Sequence, residues 1–500
     1  MRGSLAQLVA SIDGARMTRD AAFEGVSTDS RTVQPGALFV ALRGETFDAH
    51  DFLDHVAAKG VAAVVAEKLP EGWTLPALVV PDTLAALGRI ANAWRSQYAI
   101  PVIGVAGSNG KTTVKEMISA ILAAACGEEQ RLATQGNLNN EIGVPLTLMR
   151  LAPTHRAAVV ELGMNHPGEI GRLAAIAQPT VGLVNNAQRE HQEFMHTVEA
   201  VARENGSVLA ALPAGGVAVF PGDDEYTGLW RAMTKCDTLT FGLTDDCDVR
   251  CTHTSTGFGS QLEVTTSFPR RARRPREEPM LSEQASDEIA QARDVVMGSR
   301  LRGKSLPHGG NDGSTFTIRL QAAGVHNVRN ALAAIACTLA AGIDQSAIVR
   351  GLESFTPVGG RLQRKQALCG ATVIDDTYNA NPDSVRAAID VLAQYPSPRI
   401  LVLGDMGEVG TQGQQFHEEI GAYANSRGID TVLATGELAR HLAGSGARHF
   451  EQFDELLAAL DTKLGSKSDA TVLVKGSRFM KMERVVQHLI GSQNTGKEAH

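Results

Sequence analysis

The run Gly107-Ser108-Asn109-Gly110-Lys111-Thr112-Thr113 lies between an apolar stretch, IPVIGVAG (100–107), and a helical pattern from Thr112 to about Ala125. Two glycines let a main chain curl around a phosphate, so that successive N–H groups and the start of the helix point at the anion. Lys111 would meet the outer phosphates, and the Thr112 hydroxyl could hold magnesium. The spacing departs from the common G-x4-GK[ST] form, because Val105 stands where the first glycine belongs. The alternative is a glycine-rich turn with an accidental lysine. The strand before the run and the helix after it favour a nucleotide triphosphate loop.

Two further residues could serve such a loop. Glu161 ends the next apolar run, AAVVELG (157–163), which points its carboxylate to the sheet edge where the phosphate loop also lies. Alone it would read as a helix cap or a surface group; beside a phosphate loop it reads as a magnesium ligand. His191, in NNAQREHQEF after the run TVGLVNN (180–186), could offer a nitrogen to a second metal, or be a polar loop residue.

These side chains need a scaffold, and the apolar periodicity outlines one. Residues 1–98 alternate short runs, LFVAL (38–42), AAVVAE (62–67) and ALVV (77–80), with helical patterns near 51–60 and 83–98, a small α/β unit. From 99 to 355 the alternation continues through 157–163, 180–186, GGVAVF (215–220) and TLTFG (238–242), then a helix at about 326–341. Strands alternating with helices predict a doubly wound, mostly parallel sheet carrying the phosphate loop. Residues 269–312, with RRARRPREEP and SEQASDEIAQ, offer almost nothing to bury and read as a solvated, disordered insertion. After the connector ESFTPVGG, runs at 371–376, 399–405, 431–436 and 471–476 predict a third, Rossmann-like α/β unit over 356–500. The fold class expected is therefore α/β, with three domains in series.

Bulk properties exclude several functions. A formal charge of −8 argues against a general nucleic-acid or membrane-surface binder, so an anionic ligand must be held by local groups. Six cysteines scattered over 500 residues suit a reducing compartment. No apolar run reaches the roughly 18 residues of a membrane span, and MRGSLAQLVASIDGAR lacks a signal-peptide core, so the cytoplasm is the expected location.

Taken together, these residues resemble the muramyl ligases. GSNGKTT is similar to the family's phosphate loop, TQGNLNNEIGVP (134–145) to its substrate loop, and VVELGMNHPGEI to its metal-bearing strand. VHNVRNALAA (325–334), GGRLQ (359–363), DDTYNANPDS (375–384), LGDMGEVG (403–410) and VKGSRFMKME (474–483) follow in the family order, and STDSRTVQPGALFVALRGETFDAHDF (27–52) resembles the amino-terminal uridine-nucleotide region. The likeness covers nearly the whole chain outside 269–312.

What the resemblance implies is an ATP- and magnesium-dependent ligase that activates a carboxylate as an acyl phosphate and lets an amine displace phosphate. DDTYNANP points to the member that joins D-alanyl-D-alanine to UDP-N-acetylmuramoyl-tripeptide, whose third residue is either diaminopimelate or lysine. By the same resemblance Arg361 reaches back to the γ-phosphate, Asp376 meets the ribose, and His326, Asn327 and Asn330 contact the adenine, although Asn327 could equally cap its helix. Thr28, Asp29, Ser30, Arg31 and Arg43 would bind uracil and diphosphate, or form a local turn. Asn137 and Asn140 belong to the substrate loop. Asn379, Asn381 and Ser384 would hold the dipeptide, with Lys475 and Arg478 on a carboxylate. A monomer, no nucleic-acid partner and no stable membrane insertion are expected.

One position departs from the family. Many members carry a carbamylated lysine that helps hold a magnesium ion, and aligning VARENG (201–206) puts Asn205 there. Either a second ion binds more weakly, or Glu204 takes its place. Rival readings are a ligase of the folylpolyglutamate type, a nucleotide-gated regulatory ATPase and a kinase.

Overall fold

The computed structural model of the protein describes residues 1–44, 46–190, 192–267, 314–466 and 468–491. His191 and the 269–312 insertion lie outside the described residues.

The amino-terminal unit is a five-stranded sheet in the order Arg16–Met17, Ala77–Val79, Ala63–Ala66, Leu38–Val40, Val26–Ser27. The last four strands run parallel and the first antiparallel. Helix Thr83–Arg95, which Asp82 caps by accepting from the Leu84 and Ala85 N–H groups, carries the chain onward.

The central sheet has nine strands in the order Ser314–Leu320, Ser260–Thr266, Val249–Ser255, Asp237–Gly242, Val217–Pro221, Val181–Val184, Val102–Ala106, Ala157–Glu161, Arg131–Ala133. Seven are parallel, and Ser260–Thr266 pairs antiparallel with both of its neighbours. Strand Val102–Ala106 is flanked by Ala157–Glu161 and Val181–Val184, its later neighbours in the chain, so the winding reverses there. Open α/β sheets form their ligand crevice at such a reversal. The expected parallel strands are all present. The antiparallel strands escaped the periodicity reading because each is polar on one face: SQLEVTT alternates buried and non-buried positions, as a half-solvated strand does.

Helix Lys111–Cys126 leaves that central strand and buries Val114, Met117, Ile118, Ile121 and Leu122, an i, i+3, i+4, i+7, i+8 stripe. Each fully buried apolar side chain is worth roughly 1.5–3 kcal/mol, enough together to fix the helix axis and hence its first turn. Helices Val325–Ala340 and Gln345–Ser354 pack on it.

The carboxy-terminal sheet runs Gln363–Gln366, Thr372–Asp376, Thr471–Lys475, Arg399–Leu403, Thr431–Thr435, Arg448–Phe450, with only the first strand antiparallel. Among the described residues no helix is long and apolar enough to cross a membrane.

Gly351 brings helix Gln345–Ser354 up against the backbone of the helix that follows the phosphate loop: an added Cβ would lie 2.7 Å from the Ile121 main-chain nitrogen. Alanine is favoured over glycine in a helix by about 1 kcal/mol, but overpacking against backbone costs about 1–3 kcal/mol. Gly351→Ala should therefore lower the denaturant midpoint; a raised midpoint would contradict this packing.

Candidate active site

Gly107 (φ +136°) and Gly110 (φ +80°) both adopt left-handed backbone, and a Cβ on Gly110 would lie 2.8 Å from Asn185 Nδ2 and 3.0 Å from Asn330 Cγ. Around this turn, side-chain amides hold the main chain in place. Gly107 N–H donates to Asn205 Oδ1 (3.0 Å) and Asn109 N–H to Asn186 Oδ1 (2.9 Å), while Asn109 O accepts from Asn185 Nδ2 (2.8 Å) and Asn186 Nδ2 (2.9 Å). Helix Lys111–Cys126 then begins with Gly110 at its N-cap and no side-chain cap. Its first N–H groups face the cleft with the positive end of the helix dipole behind them.

Lys111 folds back over the turn. Its Nζ donates to Gly107 O (2.5 Å) and Ser108 O (3.0 Å) and lies 3.4 Å from Glu190 Oε2. Thr112 Oγ1 donates to Glu161 Oε1 (3.2 Å), which also accepts from Asn139 Nδ2 (2.8 Å). Glu161 is 2% exposed, and its Oε2 is buried with no hydrogen-bond partner. An orphaned carboxylate oxygen beside a threonine hydroxyl fits a hard cation such as magnesium, which takes one or two protein ligands and completes its shell with phosphate and water. Among the described residues no three His, Cys, Asp or Glu side chains gather to hold a metal by themselves.

The carboxy-terminal domain closes the other side. Arg361 Nη2 donates to Thr112 Oγ1 (2.8 Å), and its guanidinium stacks 4.1 Å from the Tyr378 ring centroid. Asp376 accepts from Leu362 N–H (3.1 Å) and from Lys475 Nζ (2.6 Å), and Lys475 also donates to Asn379 O (2.8 Å). Asn381 caps helix Pro382–Leu392, accepting from Ser384 N–H (2.8 Å), while Ser384 Oγ accepts from Asn381 N–H (3.0 Å). Asn381 Nδ2 also reaches Asn109 Oδ1 (2.9 Å), linking the two domains. Asn140 similarly accepts from Gly143 N–H (2.9 Å) at the start of a short helix.

A single cleft of about 840 Å³ collects most of the expected residues: Ser108 to Thr113, Asn137, Asn140, Glu161, His326, Asn327, Asn330, Arg361, Asp376, Asn379, Asn381, Ser384, Lys475 and Arg478. Gly107 supports the turn from behind. Thr28 to Arg31 and Arg43 lie away from it. Asp29 accepts from the Arg31 main-chain N–H (2.8 Å) and pairs with its guanidinium (3.0 Å), the local turn, and Arg43 lies 3.4 Å from Asp48 and 3.7 Å from Glu67. Leu84 lines the cleft from the amino-terminal domain.

Two readings of the sequence change. Glu204 does not face the phosphate loop: its two oxygens accept from Gly168 N–H and Ile170 N–H (both 2.8 Å) at the start of helix Glu169–Ala177, so it cannot replace a metal-binding carbamate. Asn327 does not cap its helix through an N-cap bond; it donates to Ala323 O (2.8 Å) and accepts from Asn330 Nδ2 (3.1 Å), and Asn330 in turn accepts from Asn185 (3.0 Å). Sequence reasoning passed over Asn139, Asn185, Asn186, Gln188, Arg189 and Glu190. For the last five the signal was there in NNAQRE (185–190), an amide-rich segment at the carboxyl end of a parallel strand beside the phosphate loop, and Asn139 lies in the 134–145 loop.

Three Mur ligase domains match the chain: the Mur ligase family catalytic domain over 22–95, the middle domain over 105–272 and the glutamate ligase domain over 360–478. A UDP-N-acetylmuramoyl-tripeptide--D-alanyl-D-alanine ligase of Escherichia coli (strain K12) is 36% identical over 488 residues, 97% of this chain and 98% of the relative. The chain belongs to the Mur ligase family. A relative of the same name from Bacillus subtilis (strain 168) is 33% identical over 94% of this chain and 93% of its own. Among solved Mur ligases, a crystal structure of MurF from Acinetobacter baumannii superposes with a TM-score of 0.82 at 32% identity, covering 98% of this chain and 99% of that one.

His326 stands in the cleft close to Asp376 and Lys475. Burial, aided by the Lys475 charge and opposed by Asp376 and Asp390, lowers its pKa from 6.5 to about 4. The imidazole is therefore neutral near pH 7. As pH falls from 6.5 towards 4, the unfolded chain takes up a proton that the folded chain refuses, so stability present above 6.5 is lost over that window. Titrating urea stability of wild type against His326→Gln should show wild type losing ground to the variant between those values; parallel curves would contradict the burial.

Proposed function

We propose that the protein is the ATP-dependent ligase that joins D-alanyl-D-alanine to UDP-N-acetylmuramoyl-tripeptide in peptidoglycan synthesis. The observation that carries this reading is the meeting of Lys111, the Thr112–Glu161 pair and Arg361, from two domains, at an uncapped helix start. That cluster suits a reaction in which a γ-phosphate and a carboxylate, both anionic, must touch. The relatives that span the whole chain carry the name of that ligase.

In this reading the Gly107–Thr113 main chain cradles the ATP phosphates, with Lys111 moving from the Gly107 and Ser108 carbonyls to the outer phosphates. Thr112 and Glu161 would hold magnesium, which when bound neutralises phosphate charge. Arg361 stabilises the phosphoryl group in transit from ATP to the tripeptide carboxylate. The D-alanyl-D-alanine amine then attacks the acyl phosphate and phosphate leaves. His326, with a neutral ring, and Asp376 face the adenosine. We assign Asn327, Asn330 and Asn185 to bracing the loop, because their amides are already committed to one another. Asn381 and Ser384 act on the dipeptide by fixing the start of the helix that follows Tyr378 and Asn379, and Arg478, exposed and 3.4 Å from Glu483, would turn to meet a carboxylate. Asn137 and Asn140 shape the muramyl-peptide side, and Thr28 to Arg31 with Arg43 form the uridine-nucleotide end. We take 1–98, 99–355 and 356–500 as the domain boundaries, the cytoplasm as the place of work, since ATP is the cosubstrate, and a monomer as the working form.

The test is phosphate release from ATP and UDP-muramyl tripeptide, with and without D-alanyl-D-alanine, alongside mass detection of the new amide. Wild type should release phosphate in step with amide formation; phosphate release indifferent to the dipeptide points instead to a regulatory ATPase. Removing one preorganised charge from such a site costs about a hundredfold to a thousandfold in turnover. Lys111→Ala and Glu161→Gln should each fall that far, and near-normal turnover in either would refute its assignment.

A further inference from the structure

Gln188, Arg189 and Glu190 are consecutive, yet the outer two face the phosphate loop and the middle one faces away from it. Gln188 accepts from Asn109 Nδ2 (2.6 Å) in the phosphate loop, and Glu190 lies 3.4 Å from Lys111 Nζ. Arg189 turns the other way, into the carboxy-terminal domain. Its main-chain N–H donates to Asp383 Oδ2 (2.9 Å), its Nη2 to Asp383 Oδ1 (2.6 Å), and its Nη1 to Glu419 Oε2 (2.8 Å). The guanidinium also lies 5.2 Å from the Phe416 ring centroid.

This is more than a surface ion pair. Arg189 is 24% exposed, and its planar fork joins carboxylates from two helices, Pro382–Leu392 and Gly413–Ser426. Asp383 sits in the first turn of the helix that Asn381 caps, and Asn381 is bonded to Asn109. The start of that helix is thus held to the central domain at two points, one on the phosphate loop and one on Arg189. Arg361 of the same carboxy-terminal domain reaches Thr112 across the same junction.

Resting on the ligase reading above, we propose that Arg189 is a positioning residue: its bridge to Asp383 and Glu419 clasps the carboxy-terminal domain to the segment beside the nucleotide. Through it, the domain that carries the incoming dipeptide is set against the loaded phosphate loop. Arg189 touches no reacting atom. Its loss acts on how often the two domains are correctly docked, and so chiefly on the use of the dipeptide; ADP, cradled mainly by the Gly107–Thr113 loop and His326 of the central domain, with Asp376 from the carboxy-terminal domain, is affected less.

The experiment compares full-length wild type, Arg189→Met and Glu419→Gln, with the double variant, in amide formation and in direct ADP binding. Coupled charge pairs of this kind support an effect of roughly tenfold or more. Arg189→Met should lower kcat/KM for D-alanyl-D-alanine by about that factor while changing the ADP dissociation constant by less than about threefold. Glu419→Gln, far from the phosphate loop and so unable to unfold it, should shift the same parameter in the same direction. The double variant should be no worse than Arg189→Met by more than about twofold, because Arg189→Met already removes the bridge and the remaining Glu419 partner, Arg386, belongs to the same domain as Glu419. Unchanged dipeptide use in Arg189→Met overturns the clasp, as does ADP affinity falling in step with dipeptide use, or multiplicative losses in the double variant. A wild-type chain that consumes ATP without forming the amide overturns the ligase reading and the clasp together, which separates that failure from the others.

Discussion

Everything in this molecule that concerns chemistry depends on one helix starting without a cap. The first turn of Lys111–Cys126 keeps its N–H groups unspent because Gly110, in a left-handed conformation, offers no side chain to satisfy them. Such an end attracts anions, and the protein leaves it open at the point where the central sheet reverses its winding. The apolar stripe from Val114 to Leu122 secures the helix from behind, so burial far from the cleft sets where the N–H groups point.

The open end is flanked by side chains that satisfy one another in ways that can be exchanged. Lys111 rests on two carbonyls, Arg361 on a hydroxyl, and one oxygen of Glu161 has no partner. By contrast, the asparagines behind the turn are bonded in a chain from Asn327 through Asn330 and Asn185 to Asn109 and on to Asn381. Groups that must move rest on partners a ligand can replace, and the amides that hold the turn are bonded to one another and to its main chain, with Asn185 Oδ1 and Asn205 Nδ2 left over. Low dielectric makes both arrangements consequential: buried amides left unpaired are costly, and charges placed there act strongly on a ligand.

Much of this was readable from residue order. GSNGKTT between an apolar run and a helix located the turn, and the short apolar runs located all the parallel strands except the brief Val26–Ser27, Arg131–Ala133 and Arg448–Phe450 and the leading part of Val249–Ser255. Periodicity failed on strands that are polar on one face, because their alternation is diluted by threonine and serine. Asn381 and Ser384 in DDTYNANPDS read as ligand contacts, whereas Asn381, Pro382 and Ser384 also spell an N-cap, a first-turn proline and a capping box. Long-range pairings such as Arg189 with Asp383 and Glu419, or Gly107 with Asn205, join residues 98 to 230 positions apart. No local pattern encodes them; only the packed domains do.

The central claim is that the cleft transfers a phosphoryl group from ATP to a carboxylate before the amide forms. UDP-muramyl tripeptide labelled with ¹⁸O in its terminal carboxyl group tests this directly, with mass analysis of the phosphate and the amide after a single turnover. The account predicts one labelled oxygen in each released phosphate and the other retained in the new amide carbonyl. Phosphate free of label, with amide formed, would contradict it.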